Sequence, residues 1–207
     1  MNNLKEIWNK LCTNYTQDLN LIEKCWLEIN SCYNEKSRHY HDLSHIENMV
    51  SLTFDNRDQI KNFDILLFSI FYHDIIYKAI RKDNEEKSAE LAKDRLKLLG
   101  VPHDDIKKCW NQIIFTKAHS TSLDSDTNFL LDFDLAVLGG EWTEYMRYSI
   151  GVREEYKIYP DLLYKPGRRK VLEHFLEMKN IYKSDLFRSK FEKKAKENLS
   201  RELEELS

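Results

Sequence analysis

The sequence predicts an all-α protein, and three observations support this expectation. Five glycines and three prolines among 207 residues leave few positions for the many tight turns of a β-sandwich. Leucine, lysine, glutamate and isoleucine dominate the composition, which favours helices. Apolar residues also recur at helical spacing over long segments. We therefore expect one helical bundle with additional helices towards the C-terminus.

The first helices are predicted within residues 4–33 and over about 45–52, where Ile46, Met49 and Val50 share one face. Residues 62–77 are apolar at almost every position, so this segment is expected to be a central helix buried on most sides.

Capping and helix-stop signals define the helices that follow. Asp83 and Glu86 resemble a capping box that begins a helix through residue 99. Gly100 and Pro102 then end that helix. Further helices are predicted over 104–116, 126–138, 142–157, 168–179 and 185–206, and the last is expected to be amphipathic and solvated.

Length and charge limit the classes of protein. A chain of 207 residues suits a single domain, with its chemistry in about 38–140 and a C-terminal helical part over about 141–207. A net charge of -3 provides no general attraction for nucleic acid or anionic membranes. The first residues do not combine a basic region with an apolar stretch and a small-residue cleavage site, so we expect no signal peptide, and no apolar run approaches about 18 residues. We expect a cytoplasmic protein with neither nucleic acid nor membrane as a partner.

The cysteines are not expected to bind metal or form disulfides. They form no CxxC pair and show no spacing typical of a disulfide framework. We expect reduced, mostly packed thiols at Cys12, Cys25, Cys32 and Cys109.

Histidines are concentrated in the segment "RHYHDLSHIENMV", residues 38–50. His39, His41 and His45 lie within seven positions. A buried imidazole needs a hydrogen-bond partner, so core packing rarely favours such a cluster. Imidazole is, however, a common ligand of divalent metals and titrates near neutral pH. The segment therefore indicates metal binding or acid/base chemistry.

Carboxylates interrupt two apolar helices elsewhere in the chain. In "FYHDIIY", His73 and Asp74 lie in the most apolar segment, where an ionised carboxylate must be paired or bind a cation. In "LLDFDLAVLG", Asp132 and Asp134 interrupt a second apolar helix. The two interruptions suggest one metal site, although His73 and Asp74 could instead cap or cross-link neighbouring helices.

These residues, in this order, resemble the HD superfamily of metal-dependent phosphohydrolases. The resemblance is closest to a bacterial group of predicted HD phosphohydrolases, and it covers about residue 38 to the C-terminus. It rests on "YHDLSHIENM", "FYHDIIY", "DNEEKSAELA", "LLDFDLAVLG" and "VREEYKIYPDLLYKPGRRKVLEHFL". It implies a single HD-type domain in which His45, His73, Asp74 and Asp134 bind metal.

The segment "YHDLSH" is also similar to the YHNxxH signature of cyclic-nucleotide phosphodiesterases, a branch of the same superfamily. This similarity implies that His45 binds the metal and that His41 is the general acid for the leaving oxygen. Asp42 replaces the asparagine of the signature, and its carboxylate could raise the pKa of His41 or hold its tautomer. A structural cap or a surface imidazole is the alternative for His41, and a surface position is expected for His39.

The implied reaction is metal-assisted hydrolysis of a phosphate ester. One divalent cation, whether manganese, iron, cobalt, nickel, zinc or magnesium, would activate water that Asp74 orients. The expected substrate is a nucleotide or another small phosphorylated metabolite. Arg38 is the preferred phosphate contact, because its planar fork suits phosphate oxygens. Lys117 and His119 are the other substrate-binding candidates.

Several alternatives stay open on the sequence alone. Arg153 and Arg168 are weaker candidates for phosphate contacts than Arg38. Glu85 and Glu86 could hold a second metal, or could simply suit the first turn of a helix. A non-catalytic metal- or nucleotide-binding sensor would keep the same ligands. A di-iron oxygenase would need more histidines than these motifs contain.

Overall fold

The computed structural model describes residues 4–206, and within this range the chain is helical with no β-strand. The expected all-α fold is confirmed. No described helix is both long enough and apolar enough to cross a membrane. The α-helices are α1 (Leu4–Cys12), α2 (Leu19–Tyr33), α3 (Leu43–Asp55), α4 (Phe63–Tyr72), α5 (Asn84–Leu98), α6 (His103–Phe115), α7 (Ser125–Asp134), α8 (Trp142–Glu155), α9 (Asp161–Glu177) and α10 (Asp185–Glu205).

The chain divides into two compact units, one ending at Leu130 and one beginning at Leu131. The first unit contains α1 to α6 and most of α7. The second contains the last residues of α7 together with α8, α9 and α10. The sequence-based expectation of a single domain stays a prediction.

Helix α4 is the centre of the first unit. Every residue from Ile65 to Tyr72 is buried, and α3, α5 and α6 pack against the helix. The indole of Trp8 in α1 meets the ring of Phe71 edge-on, with centroids 5.3 Å apart. The amide oxygen of Asn62 accepts a hydrogen bond from the backbone N–H of Ile65 and caps the start of α4.

Helix α4 ends at Tyr72, five residues before the predicted end of the helix. Side chains of α5 form hydrogen bonds with backbone groups that would bond within the helix if it were longer. The Ser88 hydroxyl accepts a hydrogen bond from the backbone N–H of Ile76 at 3.1 Å. The Asn84 side chain bonds both the N–H and the carbonyl of Lys78, each at 3.1 Å. These contacts fold the segment after His73 back onto α5.

The predicted capping box at the start of α5 is not formed. Asp83 is the residue before the helix, but its side chain makes no capping hydrogen bond. Both of its carboxylate oxygens instead accept hydrogen bonds from the Arg81 guanidinium, at 2.8 and 3.0 Å. A nearby guanidinium therefore competes successfully with the helix terminus for this carboxylate.

In the second unit, the predicted helix over 126–138 ends at Asp134. A 3-10 turn over Ala136–Gly139 follows. The Asn198 amide of α10 donates to the carbonyls flanking this turn, those of Leu138 and Gly140, each at 2.9 Å. A Cβ atom at Gly139 would lie only 2.6 Å from Cβ of Phe191. The 3-10 turn packs closely against α10 where the last turn of the longer helix is predicted.

Helix α9 begins at Asp161, seven residues before the predicted start, and includes Pro166. The helix starts directly after Pro160, where the preceding chain is extended. Proline lacks the N–H that would bond the carbonyl four residues earlier, and so it usually signals a helix boundary. Here Pro166 lies in the second turn of the helix, and the helix continues through it.

Candidate metal centre

The N-terminus of α3 positions His45. The residue before the helix is Asp42, and its Oδ1 atom accepts hydrogen bonds from the backbone N–H and the hydroxyl of Ser44, at 2.8 and 2.6 Å. It also lies 3.4 Å from the backbone nitrogen of His45. Asp42 therefore caps α3, a role that sequence reasoning did not assign to it. The cap places His45 in the first turn, 4% exposed.

The C-terminal end of α4 positions His73 and Asp74. His73 is 1% exposed, and its Nδ1 atom lies 2.8 Å from the carbonyl oxygen of Ile70. A carbonyl can only accept, so Nδ1 carries the hydrogen in this contact. The lone pair of a neutral His73 ring is therefore on Nε2. A metal-binding histidine commonly donates its other ring N–H to a carbonyl in this way, and the hydrogen bond orients the ring.

Three potential ligand atoms meet at one point in the first unit. The Nε2 atoms of His45 and His73 are 3.3 Å apart. Oδ2 of Asp74 lies 3.3 Å from Nε2 of His73. All three ligand atoms lie within 4.8 Å of one another. The side chains that the sequence analysis assigns to one site, His45 in α3 and His73 and Asp74 at the end of α4, thus lie next to one another.

The chemistry of this cluster suits a divalent cation. Two imidazole nitrogens and a carboxylate oxygen form a donor set that borderline and hard metals accept. Two imidazole nitrogens 3.3 Å apart cannot both present lone pairs to each other at low cost in a buried site. A shared proton or a bound cation relieves that repulsion.

His41 lies beside the cluster. Its Nε2 atom is 3.9 Å from Oδ2 of Asp74, and its side chain is 19% exposed. Its ring stacks on that of Tyr77, with centroids 4.2 Å apart and an interplanar angle of 28°. The imidazole is therefore held between the buried ligands and solvent. Its role as a general acid stays a prediction, and His39 is exposed, as expected.

The two carboxylates of α7 occupy different environments. Asp132 is fully buried, and it accepts hydrogen bonds from the backbone N–H groups of Lys183 and Ser184, at 2.5 and 2.8 Å. Burial raises the pKa of Asp132, and these hydrogen bonds oppose the rise. Asp132 therefore anchors the segment before α10. Asp134 is the last residue of α7 and half-buried, and its role as a fourth ligand stays a prediction.

The three candidates for substrate contact differ in their surroundings. The Arg38 guanidinium is buried and donates to backbone carbonyls. The exposed Lys117 ammonium pairs with Glu86 and donates to the carbonyl of Lys82 at 2.8 Å. His119 adopts a left-handed backbone conformation with a φ of 47° just after α6. Contact of these three side chains with a phosphate stays a prediction.

Both weaker arginine candidates take part in ion pairs of the second unit. Arg168 is buried and forms a bidentate ion pair with Glu202, with nitrogen–oxygen distances of 2.8 and 2.9 Å. Arg153 pairs with Asp161 at 2.7 Å. Arg168 is thus engaged in the interior of its unit, where its fork is matched to a carboxylate.

Sequence reasoning missed the residues that support the centre. The apolar pattern assigns Tyr77 no role in the centre, yet its ring stacks on that of His41. Asn84 and Ser88 hold the backbone after Asp74, and a short polar residue at the start of a helix was the available signal. Glu85 lies near Asp74. Burial raises its pKa, and the charge of Asp74 raises it further.

Comparison with known proteins gives no match to a family model, to a curated protein or to a solved structure.

Proposed function

We propose that this protein is a metal-dependent phosphohydrolase of the HD type that acts on a nucleotide or another small phosphorylated metabolite. The observation that carries the proposal is the meeting of His45, His73 and Asp74 ligand atoms within 4.8 Å. The similarity of the surrounding motifs to HD phosphohydrolases supplies the reaction class. The same resemblance implies Asp134 as a fourth ligand.

The buried residues have distinct tasks in this proposal. His45 and His73 present Nε2 atoms to the cation, and the Ile70 carbonyl keeps the hydrogen of His73 on Nδ1. Asp74 binds the cation and orients the attacking water. A bound divalent cation supplies Lewis acidity and lowers the pKa of coordinated water.

His41 holds the proton in the proposed mechanism. Its Nε2 atom lies 3.9 Å from Oδ2 of Asp74, which places the ring beside the proposed ligands. The protonated ring donates that proton to the leaving oxygen as the phosphorus–oxygen bond breaks. The stacked ring of Tyr77 restricts the imidazole to one orientation.

The test is a hydrolysis screen on protein that has been stripped with a chelator and reloaded with a single metal. Manganese, cobalt, nickel, zinc, iron and magnesium are each tested against nucleotides and generic phosphate esters. The key variant is Asp74→Asn, which keeps the size of the side chain but removes its charge. Asp94→Asn is the matched control, because Asp94 is an exposed carboxylate on α5.

We expect metal-activated hydrolysis by the parent protein and by Asp94→Asn, and loss of both metal and turnover in Asp74→Asn. Full turnover by Asp74→Asn would refute the proposal. A protein that binds metal and nucleotide but hydrolyses no ester would instead be a sensor. Two iron ions per chain with oxygen consumption would identify an oxygenase.

A further inference from the structure

The guanidinium of Arg38 lies in the interior of the first unit rather than on its surface. Arg38 is 6% exposed and lies in the segment between α2 and α3. An arginine that binds a substrate phosphate must direct its donors into a space that the substrate can enter. The direction of each donor therefore decides what Arg38 can contact.

The donors of Arg38 point to backbone carbonyls from two segments. One terminal nitrogen donates to the carbonyls of His41 at 2.9 Å and Asp74 at 2.7 Å. The other donates to the carbonyl of Ile75 at 2.8 Å. The remaining nitrogen, Nε, is buried without a hydrogen-bond partner. Both hydrogens of the first nitrogen and one hydrogen of the second are thus directed at backbone carbonyls, and Nε is buried.

These hydrogen bonds join the two parts of the metal centre. The carbonyl of His41 belongs to the turn before α3, which leads to His45. The carbonyls of Asp74 and Ile75 belong to the turn after α4, which follows His73. A planar guanidinium can bind several acceptors at fixed angles, whereas a lysine ammonium is a single point of charge. Arg38 therefore fixes the separation of these turns.

Aromatic rings extend the same support to His41. The guanidinium carbon of Arg38 lies 4.8 Å from the ring centroid of Tyr33 and 5.6 Å from that of Tyr77. Tyr77 in turn stacks on the imidazole of His41. Contacts between a cation and an aromatic face are stronger when desolvated. Arg38 thus contacts the ring of Tyr77, and that ring in turn supports His41, the proposed general acid.

We infer that Arg38 is a positioning residue that sets the geometry of the metal centre and does not contact the substrate. The inference rests on the proposed function. It predicts that loss of the guanidinium changes metal affinity, although Arg38 is not itself a ligand. Loss of outer contacts of this kind typically costs 10- to 100-fold in metal affinity.

The experiment compares Arg38→Ala and Arg38→Lys with the parent protein. Cobalt affinity is measured by titration, and the ring nitrogens of His41 and His73 are observed by NMR in the metal-free protein. Guanidinium ion at millimolar concentration is then added to Arg38→Ala, with urea as the comparison. Arg95→Ala is the matched control, because Arg95 makes a bidentate ion pair with Glu28 in the same unit.

We expect cobalt affinity to fall by about 10- to 100-fold in both Arg38 variants, with altered ring signals for His41 and His73. Guanidinium ion should restore the cobalt affinity of Arg38→Ala, whereas urea should not. Arg95→Ala should be less stable but should keep the parent's cobalt affinity and ring signals.

Two results would overturn the inference and leave the proposed metal site unaffected. One is parent-like cobalt affinity and histidine signals in Arg38→Ala combined with a raised KM, which would mean that Arg38 binds substrate. The other is an equal loss of cobalt affinity in Arg95→Ala, which would mean a general loss of structure. If the parent protein binds no cobalt, the proposed function fails instead.

Discussion

Removal of the buried Arg168 should destabilise the second unit strongly. Arg168 and Glu202 have side chains that are 4% and 7% exposed, and two nitrogen–oxygen contacts join them. In Arg168→Met, Glu202 keeps only the neutral donors of Tyr145 and Ser149. The carboxylate is then buried without a positive charge.

The magnitude follows from these contacts. Two hydrogen bonds to a charged group contribute about 1.5–3 kcal/mol each, and the two neutral donors that remain reduce the loss. Breaking one side of a buried ion pair costs about 3–5 kcal/mol, and we expect Arg168→Met to lie in this range. With a urea m value of about 2 kcal/mol/M, the midpoint of unfolding should fall by roughly 2 M.

The assay is urea unfolding at pH 7 followed by helical circular dichroism. The double variant Arg168→Met/Glu202→Leu should recover much of the loss, because it buries no unpaired charge. Lys193→Met should leave the unfolding free energy unchanged, because Lys193 and Glu197 form an exposed pair. A loss below about 1 kcal/mol for Arg168→Met, or a double variant as unstable as the single one, would refute this reasoning.

Three further predictions concern catalysis, pH and packing. His41→Ala should keep its metal and slow esters with poor alkoxide leaving groups by about 100- to 10,000-fold, while p-nitrophenyl esters barely change; equal losses on both would remove its role as a general acid. Burial raises the pKa of Glu202, but its ion pair and hydrogen bonds outweigh burial and hold the pKa below its ordinary value. Glu202 therefore stabilises the fold at neutral pH and loses this contribution as the pH falls below about 4.3, the ordinary pKa of a glutamate, towards its lower folded-state pKa, so the difference in unfolding free energy from Glu202→Gln should shrink as the solution is acidified, and a constant difference would contradict this. Gly139→Ala should lower the free energy of unfolding by about 1–3 kcal/mol, because the added Cβ would clash with Phe191 of α10. Gly167→Ala in α9, where the added Cβ meets nothing within 4 Å, should raise the free energy of thermal or urea unfolding by about 0.5–1 kcal/mol. A stabilised Gly139→Ala would show that α10 moves to accommodate the methyl group.

The sequence was informative where a residue type conflicted with its surroundings. His73 and Asp74 stood out because a buried imidazole and carboxylate are costly in an apolar helix, and they do lie beside His45. Asp132 stood out for the same reason but serves a different purpose. Its partners, Lys183 and Ser184, lie about fifty residues later, so no local pattern could separate it from Asp134.

Contacts between distant segments also explain the wrong helix boundary. The apolar pattern continues to Tyr77, and the helix ends at Tyr72 because Asn84 and Ser88 bind the backbone beyond it. Arg38 lies beside the histidine motif in the sequence, where it is predicted to contact a phosphate, and in the structure its guanidinium binds backbone carbonyls of that region. Two of the carbonyls that it binds, those of Asp74 and Ile75, become available only because α4 ends before them, and this is a property of the folded chain.

Metal stoichiometry and affinity, measured by elemental analysis and cobalt titration, test the central claim most directly. Parent protein stripped of metal should bind one divalent cation per chain, and His45→Ala and His73→Ala should each lose it. His103→Ala is the matched control, because the His103 side chain is 91% exposed, and it should bind like the parent. Parent protein that binds no divalent cation, or His73→Ala that binds as tightly as the parent, would contradict the account.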